Sequence, residues 1–212
     1  MIHVVVILLI LTQTTNTSTC RKYGSSSSFI NCLNTHKDYF MSSINIQPSC
    51  HRDRAKFAVE KARSFRKAFN RVLDLGAGCG DVKRFLRSDM EIYIPSDIRS
   101  REFPVLECDY GRGYIPDVKE SLDVIFVLGI LEWMCDPYSF LQALRTYNTS
   151  VVLSYTSSDL HVSTVPLANS IRSETLENML SKVGFLIRSR DIVQVQTGEG
   201  YFEMPNMLYY LD

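Results

Sequence analysis

An acidic residue and three alternating glycines form the most distinctive chemical pattern of the chain: Asp74, Gly76, Gly78 and Gly80. The apolar residues around Asp74 predict a buried parallel strand, and a helix is predicted to begin at Asp81. Glycine lets the chain turn sharply and brings bare backbone against a ligand. The unpaired N–H groups of the first helical turn face the same crevice. The pattern therefore predicts a nucleotide-shaped pocket at the carboxyl end of this strand.

The spacing of the glycines indicates which nucleotide the pocket would bind. The dinucleotide fingerprint is G-x-G-x-x-G, and Asp81 holds its sixth position here, which disfavours an NAD-dependent oxidoreductase. The order of acid and glycines from Asp74 to Gly80 resembles motif I of the class I S-adenosylmethionine (SAM) methyltransferases. The resemblance implies that the three glycines and Ala77 pack on the methionine part of SAM, and that Asp74 helps to hold its ammonium group. The alternative is a tight turn without a ligand.

A second acidic residue follows at a distance typical of nucleotide sites. Asp97 ends a strand predicted from Glu91, and it lies 23 residues after Asp74. An acid at about this distance sits at the tip of the second strand and accepts the ribose hydroxyls. The resemblance implies this role for Asp97, with Ile98 beside the cofactor. The alternative is a solvated loop aspartate, and Pro95 argues against a regular central strand.

A third predicted strand, from Val105 to Cys108, is followed by Asp109 and Tyr110. The methyltransferase resemblance implies that Asp109 accepts a hydrogen bond from the adenine amino group. It also implies that Tyr110 packs on the adenine ring. The alternative for Asp109 is a turn-forming aspartate that caps its own backbone, and the residues alone leave both interpretations open.

The segment from Ser121 to Met134 is the second strong match to the family. Its apolar run from Val124 to Leu128 predicts a strand that is buried on both faces. The pattern D-V-I, then L-E, then Asp136-Pro137 resembles motif IV of the small-molecule branch of the methyltransferases. The resemblance implies that Leu128, at the strand end, contacts the cofactor.

The remaining elements agree with the same architecture. A fifth strand is predicted at 150–155, a helix at 173–183, and two late strand regions near 185–195 and 207–211. The resemblance covers roughly residues 50–212. It implies an α/β fold: a single doubly wound, mostly parallel sheet with helices on both faces.

Candidate catalytic residues are less well defined. Methyl transfer from a sulfonium mainly needs proximity and alignment, and a base is needed only where the acceptor must lose a proton. Glu132 and His161 are the candidates, with a structural carboxylate and an exposed loop histidine as the respective alternatives. The N-P-P-Y tetrad of the nucleic-acid and amide methylating branches does not occur, which favours a small-molecule acceptor or an unusual protein acceptor.

The N-terminus has the features of a secretory signal. Val4 to Leu11 is an apolar run that is too short to span a bilayer comfortably, and small residues follow it. We predict a signal peptide at 1–19, an extension at 20–50 and the methyltransferase-like domain at 51–212. The predicted location is the secretory pathway or outside the cell, with the cytoplasm, a membrane anchor or a mis-assigned start as alternatives.

The cysteines divide into two groups. Cys20, Cys32 and Cys50 precede the predicted fold and could partly pair in an oxidising compartment. Three others lie at predicted strand ends and are expected to be ordinary buried residues that need no pairing: Cys79, Cys108 and Cys135. Their spacing matches no zinc motif.

The overall charge helps to choose between functions. The chain has 23 basic and 23 acidic side chains, a balance that argues against a dedicated nucleic-acid binder. A predicted helix over 52–69 has a basic face, which we interpret as the solvated side of a core-docked helix. The leading hypothesis is a SAM-dependent methyltransferase, and the second is a secreted, degenerate methyltransferase fold that acts as a SAM-binding or interaction module. An NAD-dependent oxidoreductase is third, and the oligomeric state is left open.

Overall fold

The described part of the chain folds around a seven-stranded sheet. The computed structural model describes residues 19–23, 52–88, 90–100, 103–160, 168–197 and 202–212. The strands are β1 (Thr19–Lys22), β2 (Arg71–Leu75), β3 (Ile92–Asp97), β4 (Leu106–Glu107), β5 (Tyr114–Asp117), β6 (Val124–Leu128), β7 (Ser150–Tyr155), β8 (Ile187–Thr197) and β9 (Phe202–Leu211). The helices are α1 (Arg52–Phe65), α2 (Asp81–Phe85), α3 (Pro137–Arg145) and α4 (Ser173–Val183), with 3₁₀ turns at Tyr110–Arg112 and Leu131–Trp133.

The strand order of the main sheet is β4-β3-β2-β6-β7-β9-β8. The first five of these strands run parallel, whereas β9 is antiparallel to both of its neighbours. The chain winds outward from β2 to β3 and β4, and then returns to the other side of β2 with β6. Ligands of doubly wound sheets bind at such a switch point, outside the carboxyl ends of the strands. The predicted fold class is confirmed.

Side chains alternate along β2 and divide the core between the two faces of the sheet. Leu73 belongs to a cluster that includes Phe140 of α3 and Leu176 of α4. Val72 points the other way, into a cluster with Ala58 of α1. Helices therefore cover both faces, and every residue of β6 is buried, as its uninterrupted apolar run predicts.

Helix α1 docks on the sheet through small residues and keeps most of its basic side chains outside. Ala55, Ala58, Val59 and Ala62 are its buried positions. Lys61 forms an ion pair with Asp191 at 2.5 Å, and Arg66, which directly follows the helix, pairs with Asp123 at 2.9 Å. The basic face is thus the solvated side of a docked helix. Among the described residues, no helix combines the length and apolar character that a membrane span requires.

The N-terminal segment that follows the predicted signal contributes to the core. Strand β1 pairs with β5 in a second, two-stranded sheet. Tyr23 follows β1 and is 9% exposed in the main core cluster. Its hydroxyl donates to the Tyr110 carbonyl at 2.7 Å, and its N–H donates to the Gly113 carbonyl at 2.6 Å. Burial of the ring and these two bonds attach the segment to the fold.

The pairing of the cysteines also differs from expectation. Cys20 forms a disulfide with Cys108, with Cα atoms 5.8 Å apart. Cys79 and Cys135 are disulfide-bonded as well. The prediction that Cys79, Cys108 and Cys135 need no pairing was therefore wrong. For Cys108 the reason is that the pairing of β1 with β5 brings Cys20 beside the end of β4. Cys32 and Cys50 lie outside the described residues.

Strand β3 contains a proline at a regular position of the sheet. Pro95 lies within β3 and is in register with Asp74 of β2. Strand β4 pairs with β3 only at Ser96 and Asp97. A strand interior tolerates proline where no ladder partner is lost, so the short neighbouring strand explains why Pro95 does not interrupt β3.

Removal of the cross-link between Cys20 and Cys108 should lower stability. The bond joins residues 88 positions apart, and a constraint of this length on the unfolded chain is worth roughly 2–5 kcal/mol. We expect Cys20→Ala to lower the free energy of unfolding by this amount in urea titrations followed by circular dichroism. Cys108→Ala and the double variant should lose the same amount, since each removes one and the same bond. Additive losses would contradict the pairing.

Candidate functional site

The loop between β2 and α2 contains three glycines in left-handed conformations. Gly76, Gly78 and Gly80 have φ angles of 73°, 51° and 72°, a region that residues with a side chain rarely adopt. The N–H groups of Gly76 and Ala77 both donate to the Ser96 carbonyl, at 2.8 and 3.0 Å. The loop is therefore fixed across the end of β3 and leads directly into the first turn of α2.

The three glycines have different surroundings. A Cβ atom at Gly76 would lie 2.1 Å from Ile130 Cγ2, and one at Gly80 would lie 2.7 Å from the Phe103 ring. At Gly78 the nearest atom would be the Gly76 carbonyl oxygen at 3.8 Å. The protein itself therefore leaves room beside Gly78, and this is the part of the loop where a ligand has access to the backbone.

Asp97 lies beside this loop, as the spacing predicted. Its Oδ2 accepts from the Gly78 N–H at 2.8 Å, and its Oδ1 accepts from the Ile98 N–H at 2.6 Å. A carboxylate has about four acceptor positions, so lone pairs remain for further donors such as ribose hydroxyls. Asp97 and Ile98 are both half-buried at the carboxyl end of β3.

Asp74 is buried at the carboxyl end of β2, with 1% of its surface exposed. The Tyr93 hydroxyl donates to its Oδ2 at 2.6 Å. Burial raises the pKa of Asp74 to about 7, with Asp97 and Asp81 adding to the rise and the Tyr93 bond opposing it. A cationic ligand group at this position would favour the ionised form.

The structure places Asp109 and Tyr110 differently from the implied adenine site. Asp109 accepts from the Arg112 N–H at 3.1 Å and pairs with the Arg112 side chain at 3.3 Å, which is the turn-capping alternative. Tyr110 is 5% exposed, packs against Phe140, and donates its hydroxyl to Ser96 Oγ at 2.7 Å. The Tyr110 ring is enclosed in the core beneath the glycine loop and leaves little surface for the stacking of adenine, so that implied contact stays a prediction.

Strand β6 ends beside the glycine loop. Leu75 of β2 is in register with Val127, so Leu128 lies next to Gly76 across the two strand ends. Leu128 is 8% exposed and packs in the cluster on the α1 side. Gly129 follows with a φ of 69° and turns the chain out of the sheet.

Glu132 is the catalytic candidate that the structure places at this edge. It is 4% exposed in the 3₁₀ turn after β6. Its Oε1 accepts from the Thr156 N–H at 2.8 Å, whereas its buried Oε2 has no hydrogen-bond partner. Burial raises the pKa of Glu132, and bonds from backbone N–H groups and the nearby Arg54 oppose the rise. The other candidate, His161, lies outside the described residues.

The structure thus groups the glycine loop, Asp74, Asp97 and Glu132 along the carboxyl edge of three adjacent strands. Two further residues at this edge, Tyr93 and Arg54, were not predicted from the sequence. Tyr93 shares the face of Asp74 on the neighbouring strand, and period-two alternation could have identified it. Arg54 lies in the first turn of α1 against Gly129, and nothing in the sequence distinguishes it from the other basic residues of that helix. Among the described residues, no cluster suited to a metal ion is found.

Solved structures of SAM-dependent methyltransferases have similar folds. The 1,6-didemethyltoxoflavin-N1-methyltransferase of Burkholderia thailandensis, solved with S-adenosylhomocysteine, has a TM-score of 0.58 at 10% identity over 89% of this chain and 90% of its own. A SAM-dependent methyltransferase of Clostridium acetobutylicum has a TM-score of 0.58 at 13% identity over 86% and 99%. The plantazolicin methyltransferase BamL has 0.54 at 12% identity over 88% and 96%. Neither a family model nor a curated protein matches the chain. These likenesses confirm the class I methyltransferase fold.

Replacement of Asp74 by asparagine should change how stability depends on pH. Because the pKa is raised from 3.8 to about 7 on folding, the protonated carboxyl contributes stability that is lost as pH rises through about 7. In urea titrations, Asp74→Asn should therefore gain stability relative to the wild type as pH rises from about 4 to about 8. At 1.36 kcal/mol per pKa unit, the gain is up to roughly 4 kcal/mol. Asp53→Asn, at an exposed position of α1, is the control, and a pH-independent difference for Asp74→Asn would contradict the raised pKa.

Proposed function

We propose that the protein is a SAM-dependent methyltransferase that acts on a small-molecule acceptor. The observation that supports this most directly is the bond between Asp97 and the Gly78 N–H at 2.8 Å. It brings the acidic end of β3 against the accessible part of the glycine loop, at the switch point of the sheet. This is where a nucleoside with a short charged extension fits a doubly wound fold.

The cofactor would be held by groups of both strands. The ammonium group of SAM would lie near Asp74, whose raised pKa falls when a cation approaches. The ribose hydroxyls would donate to the remaining lone pairs of Asp97, and the methionine part would cross the backbone at Gly78. Ile98 would lie beside the adenine ring, and Leu128 would contact the cofactor from the end of β6.

Bound SAM supplies an electrophilic methyl group on its sulfonium. Transfer needs alignment of the acceptor with that methyl group more than it needs acid or base chemistry. Glu132 can take a proton from an acceptor that must lose one, because its Oε2 has no other partner and its raised pKa suits a general base. The Thr156 N–H holds the other oxygen and fixes the direction of the carboxyl group.

A small-molecule acceptor is supported by two of the similar structures. One was solved with 1,6-didemethyltoxoflavin, and the plantazolicin methyltransferase was solved with a triazolic desmethylPZN analog. The sequence contains the motif IV pattern of the small-molecule branch and no N-P-P-Y tetrad. The balance of 23 basic and 23 acidic side chains gives no support to a nucleic-acid substrate.

The second candidate function is a degenerate methyltransferase fold that binds SAM or a partner without turnover. The disulfides support it, since Cys20 is bonded to Cys108 and Cys79 of the glycine loop is also disulfide-bonded. Disulfides persist in oxidising compartments, whereas SAM is made in the cytosol. An NAD-dependent oxidoreductase is less favoured, because Asp81 begins α2 where the dinucleotide loop needs its third glycine.

Gly78→Val should abolish binding of S-adenosylhomocysteine. The branched side chain would project into the accessible space beside the loop, where the nearest protein atom is 3.8 Å from the Cβ position. Isothermal titration of the wild type and the variant with S-adenosylhomocysteine and with NAD measures the effect. Gly184→Val is the matched control, because that glycine also has a positive φ, of 94°, but caps α4. Equal affinity in the wild type and Gly78→Val would exclude this cofactor site.

Turnover separates the two candidate functions. We expect the wild type to transfer label from methyl-labelled SAM to at least one member of a panel of small-molecule acceptors. Glu132→Gln keeps the shape and the bond from Thr156 but removes the base, so it should lower kcat where the acceptor must lose a proton. Tight binding of S-adenosylhomocysteine without transfer to any acceptor would favour the binding module.

We further propose that the chain enters the secretory pathway and that residues 1–19 are removed. The apolar run at 4–11 and the disulfide of Cys20 support this. Intact-mass analysis of protein from a eukaryotic host should give a chain that begins near Cys20. Cleavage at this point is compatible with the fold, because β1 would keep all of its residues except Thr19. A full-length mass recovered from the cytosol would contradict the proposal.

A further inference from the structure

Tyr93 of β3 contacts the most deeply buried acid of the candidate site. Its hydroxyl donates to Asp74 Oδ2 at 2.6 Å, a short distance that is typical of a hydrogen bond to a charged oxygen. Asp74 is 1% exposed, so water does not solvate this carboxyl well. Among the described residues, Tyr93 is the side chain that donates a hydrogen bond to the Asp74 carboxyl. The bond engages Oδ2 and leaves Oδ1 for a donor of the ligand.

The sheet and helix α2 hold the Tyr93 ring in place. Tyr93 is in register with Val72, which lies two residues before Asp74, so the ring and the Asp74 carboxyl share one face of the sheet. Val72 and Tyr93 both pack in the cluster on the α1 side. The Nζ atom of Lys83 in α2 lies 5.8 Å from the centroid of the ring. The hydroxyl therefore approaches Asp74 from a packed ring on a strand, which is a rigid support for a binding group.

The surroundings of Asp74 oppose its ionisation, and Tyr93 acts against them. Burial raises the pKa of Asp74 to about 7, and the neighbouring acids Asp97 and Asp81 add to the rise. The hydrogen bond from Tyr93 lowers this pKa, because it stabilises the charged form. Burial and the nearby Asp74 raise the pKa of the Tyr93 hydroxyl itself, so Tyr93 keeps its proton and remains a donor at neutral pH.

The other elements around Asp74 contribute no comparable group. Strand β6, on the other side of β2, has no titratable side chain. In α2, the cation Arg84 pairs with Asp81 at 3.5 Å. Arg54 of α1 interacts with Asp81, and it is not among the groups that shift the pKa of Asp74. Among the described residues, Tyr93 is thus the group that favours a charged Asp74.

We propose that Tyr93 is a positioning residue of the cofactor site, which keeps Asp74 ionised and leaves its second oxygen for the ammonium group of the ligand. This inference rests on the proposed function, which places that ammonium group at Asp74. It adds the residue that makes the carboxyl able to bind a cation, because a protonated carboxyl forms no ion pair. Tyr93 therefore sets the pH range in which the protein prefers a nucleoside that carries an amino acid.

The experiment compares two ligands over a range of pH. S-adenosylhomocysteine carries the ammonium and carboxylate groups, whereas 5′-methylthioadenosine has the same nucleoside and thioether without them. Both are titrated by calorimetry into the full chain between pH about 5.5 and about 8. Only the ionised Asp74 pairs with the ammonium group, so the preference of the wild type for S-adenosylhomocysteine should grow as pH rises through about 7.

Tyr93→Phe keeps the ring and its packing but removes the donor. Loss of a hydrogen bond to a charged group should raise the pKa of Asp74 by roughly one to two units. The pH at which the preference for S-adenosylhomocysteine appears should rise by the same amount. At pH about 7 its affinity should fall roughly tenfold, since less of Asp74 is ionised, while the affinity for 5′-methylthioadenosine changes by less than about twofold.

Two control variants isolate the bond. Tyr114→Phe removes a hydroxyl from a side chain of β5 that is 38% exposed, and it should leave both affinities and the pH profile unchanged. Asp74→Asn removes the titrating group, so the remaining affinity for S-adenosylhomocysteine should no longer depend on pH in this range. Addition of Tyr93→Phe to Asp74→Asn should then cause no further change in the profile. Circular dichroism checks that each variant is folded.

The outcomes separate this inference from the proposed function. Equal weakening of both ligands in Tyr93→Phe would give Tyr93 a purely structural role and overturn the inference. An unshifted pH profile in Tyr93→Phe would also overturn it while the proposed function stands. If Tyr93→Phe does not fold, the wild type decides, because a preference for S-adenosylhomocysteine that is independent of pH contradicts the inference. A wild type that binds neither ligand would overturn the proposed function, and this inference with it.

Discussion

The site depends on the hydrogen bonds that the glycine loop donates to the buried Ser96 carbonyl. It accepts the N–H groups of both Gly76 and Ala77, at 2.8 and 3.0 Å, and so fixes the start of the glycine loop across the end of β3. The side chain of the same residue donates to the Leu106 carbonyl at 2.8 Å and accepts from the Tyr110 hydroxyl at 2.7 Å. Ser96 is fully buried, so loss of either set of bonds would leave unpaired polar groups in the core. Three strand ends therefore hold their relative positions through one residue.

This arrangement connects the N-terminal segment to the cofactor loop. Tyr110 contacts Ser96 through its hydroxyl, and its carbonyl accepts from the Tyr23 hydroxyl at 2.7 Å. Cys108, two residues before Tyr110, is cross-linked to Cys20. The N–H of Cys108 donates to the Asp97 carbonyl at 2.8 Å. The extension is therefore part of the structure that positions Asp97 and the loop. A chain that begins after Tyr23 would lack this support, even though every parallel strand of the main sheet would remain.

The sequence predicted the parts of the site that local spacing determines, and it missed those that depend on distant contacts. The loop from Asp74 to Gly80 and the position of Asp97 follow from strand–turn–helix chemistry within a short segment, and the structure has both where they were expected. The methyltransferase resemblance assigned Tyr110 to the ligand. Its burial depends on Phe140 and Tyr23, which are far away in the sequence. The bond between Cys20 and Cys108 likewise depends on the pairing of β1 with β5, for which the short polar β1 gives no signal.

The charges at the carboxyl edge define what kind of ligand can complete the site. Asp74, Asp81 and Glu132 are all at most 8% exposed, and burial of carboxylates without partners is costly. The raised pKa values of Asp74 and Glu132 express this cost as a preference for the protonated forms. Arg54 lies against the end of β6 and Arg84 pairs with Asp81 at 3.5 Å, so these three acids face two cations. A ligand with a net positive charge would reduce this imbalance, and the sulfonium and ammonium groups of SAM outweigh its one carboxylate. A pyrophosphate would add negative charge to an edge that is already acidic, so electrostatics and glycine spacing disfavour a dinucleotide for independent reasons.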